Sequence, residues 1–124
     1  MTQENKELLL RDLCCRLPYG VKVFINNKIE ILEGLGILDN VAEYGSFLSC
    51  DIEEVKPYLF PLSSMTEEQI KEALSTKHKI NLSSGKVMYL DSLKTFEFYD
   101  KNHIDYRGLI PKGLATDATN LNIY

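Results

Sequence analysis

The sequence predicts an α+β domain, in which an N-terminal helix and two further helices pack against a small twisted antiparallel sheet. Three patterns support this class: apolar residues at helical spacing near the start, apolar–polar alternation over residues 21–50, and helix start signals at Thr66 and at Asp91 or Ser92. The chain has 124 residues, close to the usual size of one domain. We therefore expect residues 1–124 to form a single domain.

The first helix is expected over residues 2–17. Thr2 can cap its first turn. The apolar residues that share one face at helical spacing are Leu9, Leu10, Leu13, Cys14 and Leu17. Pro18 followed by Gly20 ends the helix. Because the residue before a proline disfavours helical dihedral angles, Leu17 is expected to leave the helical conformation.

Residues 21–50 are expected to form a twisted antiparallel meander that can curl like a small barrel. The first strand has alternating apolar residues at Val21, Val23 and Ile25. The two asparagines at 26–27 suit a tight turn because asparagine tolerates positive φ, and residues 28–32 return as a second strand. Gly34 indicates a bulge or bend. A third strand is expected within residues 41–50.

A connector, a helix and a loop follow the meander. Residues 56–61 contain two prolines, which remove ladder donors, so we expect an extended connector rather than a central strand. Thr66 begins the second helix, and Gln69 completes a capping box. That helix should run to about Ser75. Residues 76–84 are polar and are expected to form a loop.

The third helix is expected to begin after Asp91 or Ser92 and to end near His103, following a short strand over 85–90. Its predicted inner stripe is Leu93, Phe96 and Tyr99 or Asp100. Phe98 is left to one side of that stripe. An exposed phenylalanine there would indicate an interface. Beyond this helix, the tail carries glycines and a proline, and only short turns are expected.

Composition and charge narrow the classes of function. The chain is 44% hydrophobic and 26% charged, which is typical of a globular protein. Its net charge is −4 and it has no basic tract, so nucleic-acid binding is disfavoured. It shows neither a secretory signal nor an apolar run of about 20 residues. We therefore expect a soluble cytoplasmic protein without membrane association, in which Cys14, Cys15 and Cys50 are reduced thiols.

The sequence contains no pattern typical of a metal or cofactor site, and we expect neither group. A zinc site needs four ligands at recognisable spacing, which the three cysteines and two histidines do not have. Gly34 and Gly36 lack the third glycine and the following helix of a dinucleotide-binding fingerprint.

His103 and Asp105 are the candidate catalytic residues. In an extended segment their side chains would share one side and could act as a general acid–base pair in a small hydrolase or transferase. The alternative is a structural role, in which His103 lies near the negative end of the helix dipole and an ion pair fixes the turn.

Three segments carry a family resemblance: residues 16–22, 57–68 and 105–115. They are similar, in the same order, to segments of small proteins of gut bacteria and of their phages or prophages. The resemblance implies an intracellular accessory protein, and it implies no activity, cofactor or catalytic residue. Phe60 and Pro111 stand where that family suggests polar residues, and Pro111 disfavours a regular helix in the tail.

The leading expectation for function is a noncatalytic binding or accessory protein. A loop-rich stretch at 105–113, dense in Tyr, Arg and Gly, is the expected contact surface. The residues expected to bind are Tyr58, Phe60, Asp105, Tyr106 and Arg107. The alternative is that these residues only fasten the tail to the body. The expected partner is a protein, which includes a second copy in a homodimer, and a nucleic-acid binder remains the third class.

Overall fold

The computed structural model describes residues 1–36 and 38–124. Its elements confirm the predicted α+β class. The helices are α1 (Gln3–Arg16), α2 (Glu67–Ser75) and α3 (Leu93–Lys101). The strands are β1 (Lys22–Ile25), β2 (Lys28–Gly36), β3 (Val41–Tyr44), β4 (Leu48–Asp51), β5 (Lys56–Pro61), β6 (His78–Asn81), β7 (Val87–Leu90), β8 (Ile104–Asp105) and β9 (Thr116–Asp117).

The main sheet is mixed and open, so the predicted antiparallel pairing is confirmed for β1 to β4 but does not extend to the whole sheet, and the sheet does not curl into a barrel. Its strand order is β4-β3-β2-β1-β5-β8, and β9 also pairs with β5. Strands β1 to β4 form the expected antiparallel meander, whereas β8 and β9 run parallel to β5. The tail causes this difference, because it returns to the sheet after α3 in the same direction as β5. Over the described residues, β4 and β8 stay at opposite ends and do not close a barrel.

The turns of the meander follow the local sequence signals. Asn26 and Asn27 have φ of 54° and 63°, the left-handed values that a two-residue hairpin turn needs. The register between β2 and β3 shifts between Leu32 and Gly34, which confirms the predicted bulge. The single strand expected over 41–50 is instead a hairpin of β3 and β4, because the chain reverses at Gly45, where φ is 55°.

Strand β5 corrects the prediction of a connector over 56–61. Its prolines lie near its two ends, where the strand exchanges one partner for another. Pro57 pairs opposite Val23 of β1, and Pro61 opposite Asp105 of β8. The ladder relies on residues between them: the Phe60 amide donates to the His103 carbonyl at 2.8 Å. A central strand therefore tolerates two missing donors because neither falls where the ladder needs one.

Helix α1 lies over the meander and supplies the centre of the core. Thr2 caps it by accepting a hydrogen bond from the Asn5 amide, as predicted. Its fully buried leucines, Leu9 and Leu13, pack with the inward residues of β1, β2 and β5. The expectation that Leu17 leaves the helical region is wrong, since its φ and ψ are −49° and −44°. A single 3₁₀ turn follows instead.

Helices α2 and α3 pack on each other and on the β5–β8 end of the sheet. Thr66 and Gln69 form the predicted capping box of α2. Ser92 caps helix α3, whose buried face matches the predicted stripe only in part: Tyr99 and Asp100 are buried as predicted, and Phe98, predicted to lie to one side, is buried as well. Its buried residues are Thr95, Phe98, Tyr99 and Asp100. The predicted inner residues Leu93 and Phe96 are 81% and 37% exposed.

Strand β6 lies within residues 76–84, which were predicted to be a loop. It pairs antiparallel with β7 from His78 opposite Leu90 to Asn81 opposite Val87. All eight of these strand residues are exposed. Ile80 and Leu82 do alternate with Lys79 and Asn81, but the alternation is short and lies in a mostly polar stretch, which does not distinguish such a strand from a loop.

Candidate binding site

A buried ion network joins α1 to the tail. Arg16 and Asp12 are both fully buried, and the Arg16 Nε donates to Asp12 Oδ2 at 2.8 Å. The second oxygen of Asp12 accepts from Arg107 Nη1, also at 2.8 Å. Arg16 Nη2 donates further to the Ile104 carbonyl at 2.6 Å. Two guanidinium groups thus hold one buried carboxylate, and Arg16 fixes the start of β8.

The Tyr106 ring forms an aromatic platform above this network. The Arg107 guanidinium lies 4.2 Å from the ring centroid, and the Phe96 ring stacks on Tyr106 at 5.4 Å. The Tyr106 hydroxyl donates to Asp100 Oδ1 at 3.1 Å. Burial raises the pKa of Tyr106 well above its usual value, so the hydroxyl stays a donor. Burial also raises the pKa of Asp100, although the charges of Arg16 and Arg107 oppose that rise.

A groove of about 480 Å³ opens beside this platform, between α1 and α3. Its lining residues are Cys15, Leu93, Phe96, Glu97, Asp100, Tyr106 and Arg107. Two neighbouring depressions extend it. Leu93 also lines one that contains His78, and Cys15 also lines one that contains Leu10. A row of depressions therefore runs from the base of the β6–β7 hairpin, where the lining is mainly polar, across α3 to α1.

The structure separates the five residues expected to bind. Tyr106 and Arg107 line the groove. Asp105 is buried, and its two carboxylate oxygens accept from the amides of Leu109 and Ile110 at 2.9 and 2.8 Å. That carboxylate therefore holds the turn that follows it, which matches the structural alternative for this residue.

Tyr58 and Phe60 lie on β5, away from the groove lining. Tyr58 is buried, and its carbonyl accepts from the Tyr124 hydroxyl at 2.8 Å. Phe60 is half-buried, and its ring centroid lies 5.8 Å from that of Tyr124. Both residues therefore contact the end of the tail.

His103 and Asp105 have different surroundings. The His103 ring stacks on Tyr124 with centroids 3.8 Å apart and an interplanar angle of 13°. Burial, aided by the charges of Arg16 and Lys22, lowers the pKa of His103 to about 4. Within the described residues its buried Nδ1 has no hydrogen-bond partner, and Asp105 is engaged by backbone amides. This geometry gives no support to an acid–base pair.

Sequence reasoning did not identify Cys15, Leu93 or Phe96 as groove residues. A signal for the true phase of α3 was present, because Thr95, Phe98 and Tyr99 also recur at helical spacing. Choosing that stripe would have turned Leu93 and Phe96 outward. The contribution of Cys15 depends on how α1 crosses α3, which no local pattern specifies.

Comparison with models of known families, with curated proteins and with solved structures gave no match. Among the residues that the structure describes, no cluster of three or more His, Cys, Asp or Glu side chains could hold a metal ion. No described helix combines the length and apolar character needed to cross a membrane.

Proposed function

We propose that this chain is a noncatalytic binding protein that contacts a protein partner through the groove between α1 and α3. The observation that carries this proposal is the exposed apolar face of α3 beside the aromatic platform. Leu93 is 81% exposed and Phe96 is 37% exposed, although Phe98 and Tyr99 of the same helix are buried in the core. Apolar and aromatic residues that surround a groove are typical of protein contact surfaces.

Tyr106 and Arg107 supply the polar part of this surface. Both residue types are enriched at the energetic centres of protein interfaces. Here the buried Asp12 carboxylate and the Tyr106 ring fix the Arg107 side chain in place. A partner would therefore meet a preorganised cation and a rigid ring, and less conformational entropy would be lost on binding.

The setting of this function is also part of the proposal. We infer an intracellular accessory protein carried by a phage or other mobile element of gut bacteria. The resemblance of residues 16–22, 57–68 and 105–115 to such proteins supports this inference. The first of these segments begins at Arg16 and the last contains Arg107, so both include members of the ion network beneath the groove.

Substitution of Leu93 tests the proposal with little risk to folding. Leu93→Glu places a charge on the apolar surface, and because Leu93 is mostly exposed the thermal midpoint should stay within a few degrees of wild type. Leu38→Glu is the matched control, since Leu38 is 97% exposed elsewhere on the molecule. Partners captured from host lysate should fall at least about tenfold for Leu93→Glu, a loss of about 1.4 kcal/mol, and should be retained by the control.

The outcome that contradicts the proposal is an unchanged set of partners for both variants. Arg107→Ala is a poorer test, because it leaves Asp12 and Asp100 without one of their cationic partners and would destabilise the fold as well. A loss of partners in that variant could not be assigned to the surface.

A further inference from the structure

The β6–β7 hairpin stands apart from the body of the molecule. Its strands form a separate two-stranded sheet within the described residues, and they contact each other far more than they contact any other element. All eight strand residues are exposed. Because a two-stranded hairpin is marginally stable in water by itself, a surface that covers one of its faces would stabilise it.

One face of this hairpin is mostly apolar. Ile80 pairs opposite Met88 and His78 opposite Leu90, and because side chains alternate along a strand these four lie on the same side. Ile80, Met88 and Leu90 are 38%, 44% and 45% exposed, and we call these three residues the apolar face. The register places Lys79 on the opposite side of the sheet. Charge that accompanies the apolar face must therefore come from residues beyond the two strands.

Lysines lie at both ends of the hairpin, in a chain that is acidic as a whole. Residues 77–94 contain four lysines and one carboxylate, Asp91, so their net charge is +3, whereas the whole chain has a net charge of −4. Lys86 lies beside the turn and Lys94 in the first turn of α3. Both are exposed, and no ion pair of the described residues includes either. Lys77, at the base, pairs with Asp91 at 3.2 Å. The surface that complements the hairpin is therefore apolar and anionic.

The apolar face adjoins a basic depression of about 480 Å³ at the base of the hairpin. Lys77, His78 and Lys94 are among the residues that line it. His78 shares one side of the sheet with the apolar face, so it joins the two features. A phosphate group in this depression would lie next to apolar side chains, as the phosphate of a phospholipid lies next to acyl chains.

We propose that the β6–β7 hairpin binds peripherally to membranes that contain anionic phospholipids, with the apolar face toward the acyl chains and Lys86 and Lys94 beside the phosphate groups. Affinity for such a surface depends on the apolar area that is buried and on attraction to anionic lipid, and the hairpin offers both. A peripheral contact does not require the long apolar run whose absence argued against membrane association. The open strand edges limit insertion to the hydrated headgroup layer, because unpaired backbone groups are costly in hydrocarbon.

Two other occupants fit these observations less well. A second copy that docked through the same hairpin would bring like charges together, because Lys86 and Lys94 occur in both copies. Duplex nucleic acid would attract the lysines, but it would leave the apolar face against a charged backbone. A phospholipid surface is anionic and apolar at one boundary, so it satisfies both halves of the hairpin surface.

Cosedimentation with vesicles tests this proposal. The full chain should bind vesicles made of equal parts phosphatidylglycerol and phosphatidylcholine. It should bind vesicles of phosphatidylcholine alone at least about tenfold more weakly, since each lysine at an anionic surface strengthens binding about fivefold. Binding to the anionic vesicles should also weaken at 1 M salt, where the Debye length is about 3 Å. Protein that stays in the supernatant with anionic vesicles at low salt, or that binds both kinds of vesicle equally, overturns the proposal.

A pair of lysine variants locates the contact. Lys86→Gln with Lys94→Gln removes two charges from the hairpin surface, so the partition coefficient for anionic vesicles should fall about 25-fold. Lys28→Gln with Lys112→Gln is the matched control, because it changes the net charge equally at two exposed lysines outside residues 77–94. The control should lower the coefficient less than about threefold, since salt screens charges that lie far from the contact. Equal losses in the two variants would mean that net charge, and not the hairpin, decides binding.

A second pair of variants tests which face contacts lipid. Met88 and Val87 are neighbours on opposite faces, each is 44% exposed, and threonine suits a strand at either position. Met88→Thr should lower the partition coefficient at least about fivefold through lost apolar burial, and Val87→Thr less than about twofold. An equal or larger loss for Val87→Thr would refute the proposed orientation. No variant in either pair alters a residue that lines the groove between α1 and α3, so this proposal and the groove proposal can fail separately.

Discussion

Arg16 is the charged residue whose surroundings constrain it most tightly. It is fully buried on α1, pairs with Asp12 one turn earlier, and donates to the Ile104 carbonyl 88 positions along the chain. Desolvation makes such a pair expensive to form, but removing one partner leaves a buried charge that lacks compensation. The side chain therefore acts less as a source of net stability than as the element that fixes where β8 starts relative to α1.

We predict that Arg16→Met lowers the free energy of unfolding by about 3–5 kcal/mol, because Asp12 keeps only Arg107 and the Ile104 carbonyl loses its donor. Urea denaturation followed by circular dichroism measures this change. Arg11→Met on the exposed side of the same helix is the control, with an expected change within about 0.5 kcal/mol. A loss below about 1 kcal/mol for Arg16→Met would mean that the network contributes little.

His103 makes stability depend on pH. Its pKa in the folded protein is about 4, whereas the ordinary value is 6.5, so the unfolded chain binds more protons between these two pH values. Stability from the neutral ring is complete above pH 6.5 and is lost as the pH falls toward 4. Since the ring is only partly buried, we expect the loss to be about 1–2 kcal/mol after allowing for solvent screening.

The variant that isolates this effect is His103→Asn, because asparagine suits the φ of 58° at this position and does not titrate. Unfolding free energies at pH 7 and pH 4.5 should fall further for wild type than for the variant, since the carboxylates titrate in both proteins. Equal losses in the two proteins would show that His103 titrates normally in the folded state.

At the scale of elements, a helix cap that also bonds to a second element should stabilise the fold more than a cap that serves one helix. Thr66 makes its capping box with Gln69 on the exposed start of α2. The Ser92 hydroxyl caps α3 by accepting from the Thr95 amide, and it also donates to the Thr76 carbonyl at 2.6 Å. Ser92 therefore connects the start of α3 to the end of α2.

We predict that Thr66→Ala costs about 1 kcal/mol of unfolding free energy, the usual value for a lost cap. Ser92→Ala should cost about 2 kcal/mol, because the Thr76 carbonyl loses a partner as well. Urea denaturation of the two variants under the same conditions provides the comparison. If Thr66→Ala proved the costlier substitution, the link between α2 and α3 would not stabilise the fold as described.

Elements whose formation depends on neighbouring residues could be predicted from the sequence, and those that depend on distant partners could not. The α2 capping box and the 26–27 turn use contacts within a few positions. Strand β5 pairs with β1, β8 and β9, and none of these partners is apparent from residues 56–61 alone. Its two prolines, considered alone, therefore predicted a connector. The phase of α3 depends on which side faces the sheet, and two stripes of residues satisfied helical spacing equally well.

Prediction of the candidate site was also limited by its dependence on residues that are distant in the sequence. Tyr106 and Arg107 were predicted because their types are common in interfaces, and they do line a groove. The groove itself requires α1 and α3 to lie side by side, which the Arg16 and Arg107 contacts with distant residues establish. The same residue-type argument included Asp105, Tyr58 and Phe60, whose side chains instead engage the body or the end of the tail.

At the scale of the whole molecule, the tail fastens the two halves of the sheet together. After α3 it adds β8 and β9 beside β5, and its last residue reaches β1. The Tyr124 hydroxyl accepts from the Lys22 amide at 2.9 Å and donates to the Tyr58 carbonyl at 2.8 Å. One hydroxyl therefore joins β1, β5 and the tail, through contacts that span up to 102 positions.

Removing that hydroxyl should loosen β1 locally while the ring keeps its place. We predict that Tyr124→Phe costs about 1 kcal/mol, because the Phe ring can still stack on His103 but the Lys22 amide loses its acceptor. Hydrogen exchange at the Lys22 amide should accelerate about five- to tenfold, since 1.4 kcal/mol corresponds to a factor of ten, while the Val23 amide stays protected by the strand ladder. Tyr19→Phe, at an exposed tyrosine, is the matched control and should change neither rate. Unaltered exchange at Lys22 in Tyr124→Phe would mean that the tail lies on the sheet without holding β1 to β5.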